Sequence, residues 1–216
     1  MFNKFREPVS GLTHLFGVFI SAVGLLILLN ISLALNNTRD MAVSCVFGIS
    51  LILLYSASSI YHLTMASEKV IKILRRVDHS MIYVLIAGSY TPVCLITLKG
   101  KIGYSIFAMI WALTILGILI KNFWFNAPRW LSTAFYIVMG WLVVVAIYPM
   151  SKVMPAAGIM WLILGGVSYT VGGLIYAFKY PKINNKYFGF HEIFHIFVLI
   201  GSFCHYWFVL KYVLIK

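Results

Sequence analysis

The sequence predicts an all-α membrane protein, a bundle of seven transmembrane helices. Of its 216 residues, 62% are hydrophobic and only 10% are charged, whereas a water-soluble domain carries roughly a quarter charged residues. So few charges do not cover so apolar a chain in water. Crossing a ~30 Å hydrocarbon core takes about 20 apolar residues in a helix, and seven stretches qualify: 12–33, 41–64, 80–98, 104–121, 131–149, 156–177 and 191–212. The breaks between them hold most of the charge, as in "ASEKVIKILRR" and "KYPKINNKY". An outer-membrane barrel requires short segments of alternating polarity, and "LLILLNISLAL" and "GISLILLYSA" do not alternate. One transmembrane domain over 1–216 is expected.

The first span follows Lys4 and Arg6, but its apolar run exceeds a signal-peptide core and six more spans follow. The second enters after "NNTRD" and ends in "SASSIYH". The third follows "RRVDH" and contains Pro92, which predicts a kink in its distal half. The fourth and fifth flank "FWFNAPRWL", the composition of an aromatic interfacial belt. In the sixth, "GGVSYTVGG" sets Ser168 and Gly172 four residues apart, which permits close helix contact. The seventh opens on "HEIFH" at 191–195. Cys45, Cys94 and Cys204 all fall inside spans, an odd number with no C-x-x-C pair, and read as buried thiols.

Orientation follows from lysine and arginine. With the N-terminus inside, the inner segments hold eleven: Lys4, Arg6, Lys69, Lys72, Arg75, Arg76, Lys121, Arg129, Lys179, Lys182 and Lys186. The outer side holds six: Arg39, Lys99, Lys101, Lys152, Lys211 and Lys216. A multi-pass cell-membrane protein with a cytoplasmic N-terminus and an external C-terminus is expected. The net charge of +12 then reads as this topology signal plus attraction to anionic headgroups. Basic residues scattered over short loops argue against nucleic-acid binding.

Placed on this topology, five of the six histidines fall in one slab near the inner face: His14, His62, His79, His191 and His195. His191 and His195 are four apart, rotated by ~40° and separated by ~6 Å along a helix, so both imidazoles can bind one zinc ion. A third nitrogen from His62 makes a three-histidine site with an open fourth position, the arrangement of catalytic zinc. Asp78 at the same depth can orient a water or take its proton, and Ser58 shares a helix face with His62. Ionisable groups inside a membrane are costly, which makes function the default reading. Each residue also has a plainer reading: interfacial packing for His14 and His79, an ion pair with Arg75 for Asp78, a bond to the preceding turn for Ser58. His205 lies ~21 Å beyond His191, too far for the same ion, and reads as a buried packing residue or as part of a polar cavity.

"FREPVSGLTH", "SSIYHL", "RRVDHSMIYVLIAGSYTP" and "FGFHEIFHIFVLIGSFCHY", in that order and spacing, closely resemble the bacterial hemolysin III family, the prokaryotic branch of the progestin and adipoQ receptor superfamily. The resemblance covers essentially the whole chain. It implies zinc held by His62, His191 and His195, with Asp78 and Ser58 near a bound water. A family element of acidic residue, asparagine and histidine falls here on Glu7, Ser10 and His14, with serine in the asparagine's place, and no ligand role is carried over for it. The superfamily pattern needs only H-x-x-x-H, so Glu192 is not required for metal binding.

Three functions follow. The superfamily is similar in layout to membrane ceramidases, which implies zinc-dependent hydrolysis of a lipid amide or ester, with Asp78 as base and Ser58 as hydrogen-bond partner. The family name implies a second, non-enzymatic reading: a cytolysin, or a regulator of membrane lipid and energy state, with structural zinc. The third is an intramembrane metalloprotease using Glu192 as base, but its further carboxylate ligand would have to come from a later helix, and none follows. A retinal protein needs a mid-membrane lysine in the last span, where Lys211 lies at the far end. Two histidines four apart on one helix cannot supply opposite axial ligands to heme.

Overall fold

Each of the seven spans is a helix. The computed structural model describes residues 5–124, 128–183, 185 and 187–215. Among these, the helices long and apolar enough to cross a membrane are α1 (Pro8–Ala34), α2 (Thr38–Leu63), α3 (Glu68–Leu98), α4 (Gly100–Phe123), α5 (Arg129–Ser151), α6 (Ala156–Phe178) and α7 (Phe190–Leu214). Lys4, Lys186 and Lys216, counted above for orientation, and the centre of the aromatic segment at 125–127 lie outside the described residues.

Short connections make each helix pack on its sequence neighbour, and α7 closes the ring against α1. Lipid tails are as apolar as leucine, so helix association in a membrane relies on small and polar residues. Helix α1 follows this rule: it buries Ser10, Gly11, His14, Gly17, Ser21 and Gly24 while Phe16, Phe19, Val23 and Leu26 face outward. Ser168 and Gly172 also meet the expectation. The Ser168 hydroxyl donates to the Phe197 carbonyl at 2.8 Å, and a Cβ at position 172 would stand 2.9 Å from that of Phe197. Gly172→Val is therefore expected to force α6 off α7 and cost about 1–3 kcal/mol, read as a lower melting temperature in detergent.

Two helices, α3 and α5, depart from the simple predicted spans. Helix α3 begins at Glu68 rather than at residue 80, because mean hydropathy penalises the charged stretch 68–77 whichever way its side chains point. Asp78 and His79 consequently stand about three turns inside α3. At Pro92 the predicted kink takes the form of a π-helical segment, Val93–Leu98, since proline lacks the N–H that would continue the regular ladder. Helix α5 is interrupted between Trp141 and Val144. The Tyr90 hydroxyl lies 2.9 Å and 2.7 Å from the Met139 and Gly140 carbonyls at the break, supplying the donor that the interrupted helix no longer provides.

Candidate metal centre

The N-terminal ends of α1, α3, α5 and α7 meet the C-terminal ends of α2, α4 and α6 at one end of the bundle, and the sequence-predicted residues collect there. The rings of His62, His191 and His195 form a near-equilateral triangle, with centroids 4.9, 5.0 and 4.7 Å apart. One nitrogen from each lies within 4.8 Å of the others. The Nε2 atoms of His62 and His191 are 3.2 Å apart. Zinc–nitrogen bonds of ~2.0–2.1 Å in a tetrahedron place neighbouring ligand nitrogens about 3.3 Å apart, so this edge already has the spacing of a metal site. His62 and His195 are fully buried and His191 is partly so.

Neighbouring oxygens set the tautomers. Nδ1 of His62 donates to the Glu7 carboxylate, and Nδ1 of His195 donates to the Ser10 carbonyl at 3.1 Å. A carboxylate or carbonyl oxygen only accepts here, so each proton sits on Nδ1 and each Nε2 presents its lone pair. Such outer partners orient ligating imidazoles and raise their basicity. The segment ahead of α1 is held in place for this by a bond from the Glu7 N–H to the His62 carbonyl, 2.9 Å. Burial pushes the Glu7 carboxyl up, but the hydrogen bond from His62 and the adjacent positive charge outweigh it and bring its pKa to about 2. Glu7→Gln is expected to weaken metal binding by about 10–100-fold with the fold intact, measured by competition against a chromophoric chelator.

Ser58 and Asp78 are both buried and hydrogen-bonded to each other, with the His62 ring in electrostatic contact with the carboxylate. They line, with His191 and His195, a cavity of about 180 Å³; a dry cavity of ~150 Å³ admits benzene. Most of the cavity wall is apolar, running past Ile82, Leu85, Ile86 and Val198 to His205 at its far end. His62 sits behind this wall rather than in it. His205, read from sequence as packing residue or cavity residue, is both: it is hydrogen-bonded to the Leu162 carbonyl at 3.3 Å and faces the cavity. His79 also lines it.

Glu192 has another occupation. Its Oε2 accepts the Gly189 N–H at 2.7 Å and its Oε1 accepts the Ser10 hydroxyl at 2.5 Å. This is the carboxylate half of a capping box, glycine having no side chain to return the other half, together with a tie between α7 and α1. The base position of a metalloprotease helix is thus spent on capping and helix docking.

The part played by the N-terminal element emerges only in the folded bundle. Glu7 backs His62, Ser10 bonds both His195 and Glu192, and His14 stacks on His195 with centroids 3.7 Å apart and planes 7° from parallel. The signal was present as acid, serine and histidine around the start of the first span, but spacing alone does not say which imidazole each would meet.

Residues 2–206 match the family model described as "Haemolysin-III related". The chain is 38% identical over 212 residues to a hemolysin-3 homolog of Bacillus subtilis, covering 98% of this chain and 96% of that protein. It is 39% identical over 210 residues to hemolysin-3 of Bacillus cereus, covering 97% and 92%. A more distant likeness, 22% over 204 residues, links it to the human monocyte to macrophage differentiation factor, covering 93% and 81%.

Proposed function

The chain belongs to the haemolysin III family, and from that premise we propose that it is a zinc-dependent hydrolase of a lipid amide or ester, working at the cytoplasmic face. The observation that carries this reading is the junction of the histidine triangle and the Ser58–Asp78 pair with a long, mostly apolar cavity inside the bundle. A structural metal site needs no adjoining cavity, whereas a lipid enzyme needs one for the acyl chain.

His62, His191 and His195 would hold the ion, leaving a fourth position open. A zinc ion there supplies Lewis acidity, polarising a carbonyl and bringing a water's pKa to ~7. Asp78 accepts the proton of the attacking water as the carbon–oxygen bond forms, and returns it to the leaving nitrogen or oxygen as the scissile bond breaks. Ser58 holds the Asp78 carboxylate through their hydrogen bond. Glu7 and the Ser10 carbonyl keep Nδ1 of His62 and His195 protonated. The excess of lysine and arginine on the loops at this end favours its placement inside the cell.

The test is incubation of the zinc-loaded protein in lipid nanodiscs with N-acyl and O-acyl lipids, with released fatty acid followed by mass spectrometry beside a chelator-treated control. Zinc-dependent release of acyl chains from one class is expected, and no release from either class would overturn the reading. The name hemolysin-3 of the Bacillus cereus relative favours a second reading, cytolysis with a structural ion. Its mark would be lysis of erythrocytes that is the same for wild type and Asp78→Asn.

A further inference from the structure

The cavity carries a charge imbalance that the hydrolytic residues do not use. Three cations from three different helices line it: Arg75 of α3, Lys121 of α4 and Arg129 of α5. All three act electrostatically on His79, so they share one region. Lys121 is buried, 6% exposed, and reaches Ser132 Oγ at 3.3 Å. Arg129 lies 4.6 Å above the Tyr176 ring, and that ring is 5.6 Å from His191. The cationic wall therefore adjoins the histidine triangle.

Against these three stands one cavity carboxylate, Asp78. The chain has five acidic residues, and the other four are placed elsewhere. Glu7 serves His62 and Arg6, Glu68 is exposed beside Lys72, and Glu192 caps α7. Asp40 lies in the first turn of α2, at the opposite end of the bundle. A positive excess in a low-dielectric cavity is costly without a compensating anion, and a dication on the histidines enlarges it. Guanidinium groups match phosphate oxygens by paired hydrogen bonds. From the same region the apolar wall leads away toward His205, the course of an acyl chain.

We propose that the cavity takes a phosphate-bearing lipid, its headgroup held by Arg75, Lys121 and Arg129 and its acyl chain laid along Ile82, Ile86 and Val198. This rests on the hydrolase reading only in naming that lipid as the substrate; the binding itself stands apart from it. The phosphate anchors the head while the neighbouring amide or ester carbonyl lies toward Asp78 and the histidines.

The test is native mass spectrometry of the detergent-purified protein with monoacylglycerol phosphate, with monoacylglycerol of the same chain, and with inorganic phosphate. Wild type is expected to prefer the phosphate lipid over its neutral counterpart by about tenfold or more, since charge-assisted hydrogen bonds of this kind are worth about that factor each. The preference should fall to near unity in Lys121→Gln/Arg129→Gln and survive in Lys121→Arg. It should also survive chelation of the metal, which separates this site from the catalytic reading. Loss of turnover with the preference intact sinks the hydrolase alone. Equal binding of neutral and phosphate lipids sinks the headgroup site, as does a preference unchanged in the double variant whose melting temperature matches wild type. Inorganic phosphate displacing the lipid at equal concentration assigns the cations to free phosphate and overturns the lipid assignment.

Discussion

His62→Ala purified from zinc-supplemented cells is expected to carry almost no zinc, where wild type carries about one ion per chain, the stoichiometry of a three-histidine site. The reason is geometric. His191 and His195 belong to one helix, and a pair of imidazoles leaves half of a tetrahedral site unfilled. The third nitrogen comes from α2, 3.2 Å from its neighbour on α7, and no other described residue joins the same cluster. His195→Ala should behave alike. Glu192→Gln should keep its zinc, because that carboxylate is directed at Gly189 and Ser10; it should instead loosen the start of α7, lowering thermal stability by about 1 kcal/mol, the scale of a lost cap. Elemental analysis of the three variants beside wild type decides the matter. Full zinc in His62→Ala would remove α2 from the site and with it the proposed chemistry.

Asp78→Asn is expected to keep the ion and lose turnover by about 10²–10⁴-fold, the range for removal of a general base. Asparagine preserves the size of the side chain and can still hydrogen-bond Ser58, so neither cavity nor helix packing should change. What it cannot do is take up the proton. Ser58→Ala should cost less, since it removes only the group that holds the carboxylate. Turnover by Asp78→Asn within threefold of wild type would deprive Asp78 of that role, whereas lost zinc in the same variant would move it into the coordination sphere. Acyl release and zinc content measured on one preparation separate these outcomes.

Glu7 and Glu192 illustrate how the tertiary fold assigns roles that motifs leave open. From sequence, Glu192 sits in the base position of H-E-x-x-H, and Glu7 is merely an acidic residue ahead of the first span. In the bundle the two are otherwise engaged: Glu192 caps and docks a helix, while Glu7 orients a candidate ligand. Position within a pattern reports which residues are near in sequence, but a carboxylate's role depends on which donor it meets, and both meet donors contributed by other segments.

Composition and apolar run lengths alone determined the class of the protein and the number of its helices, because the thickness of the bilayer imposes a length that the chain must declare residue by residue. The histidine slab was equally legible: once the spans alternate direction, depth in the membrane follows from position along each span. Helix ends were not, as α3 shows, since the charges in a stretch such as 68–77 lower mean hydropathy without ending the helix. Which imidazole faces which, the stack of His14 on His195, and the gathering of Arg75, Lys121 and Arg129 around one cavity were decided only by tertiary structure. Depth constrains one coordinate of a side chain, while rotation about each helix axis is chosen by packing among small and polar residues spread over the whole bundle.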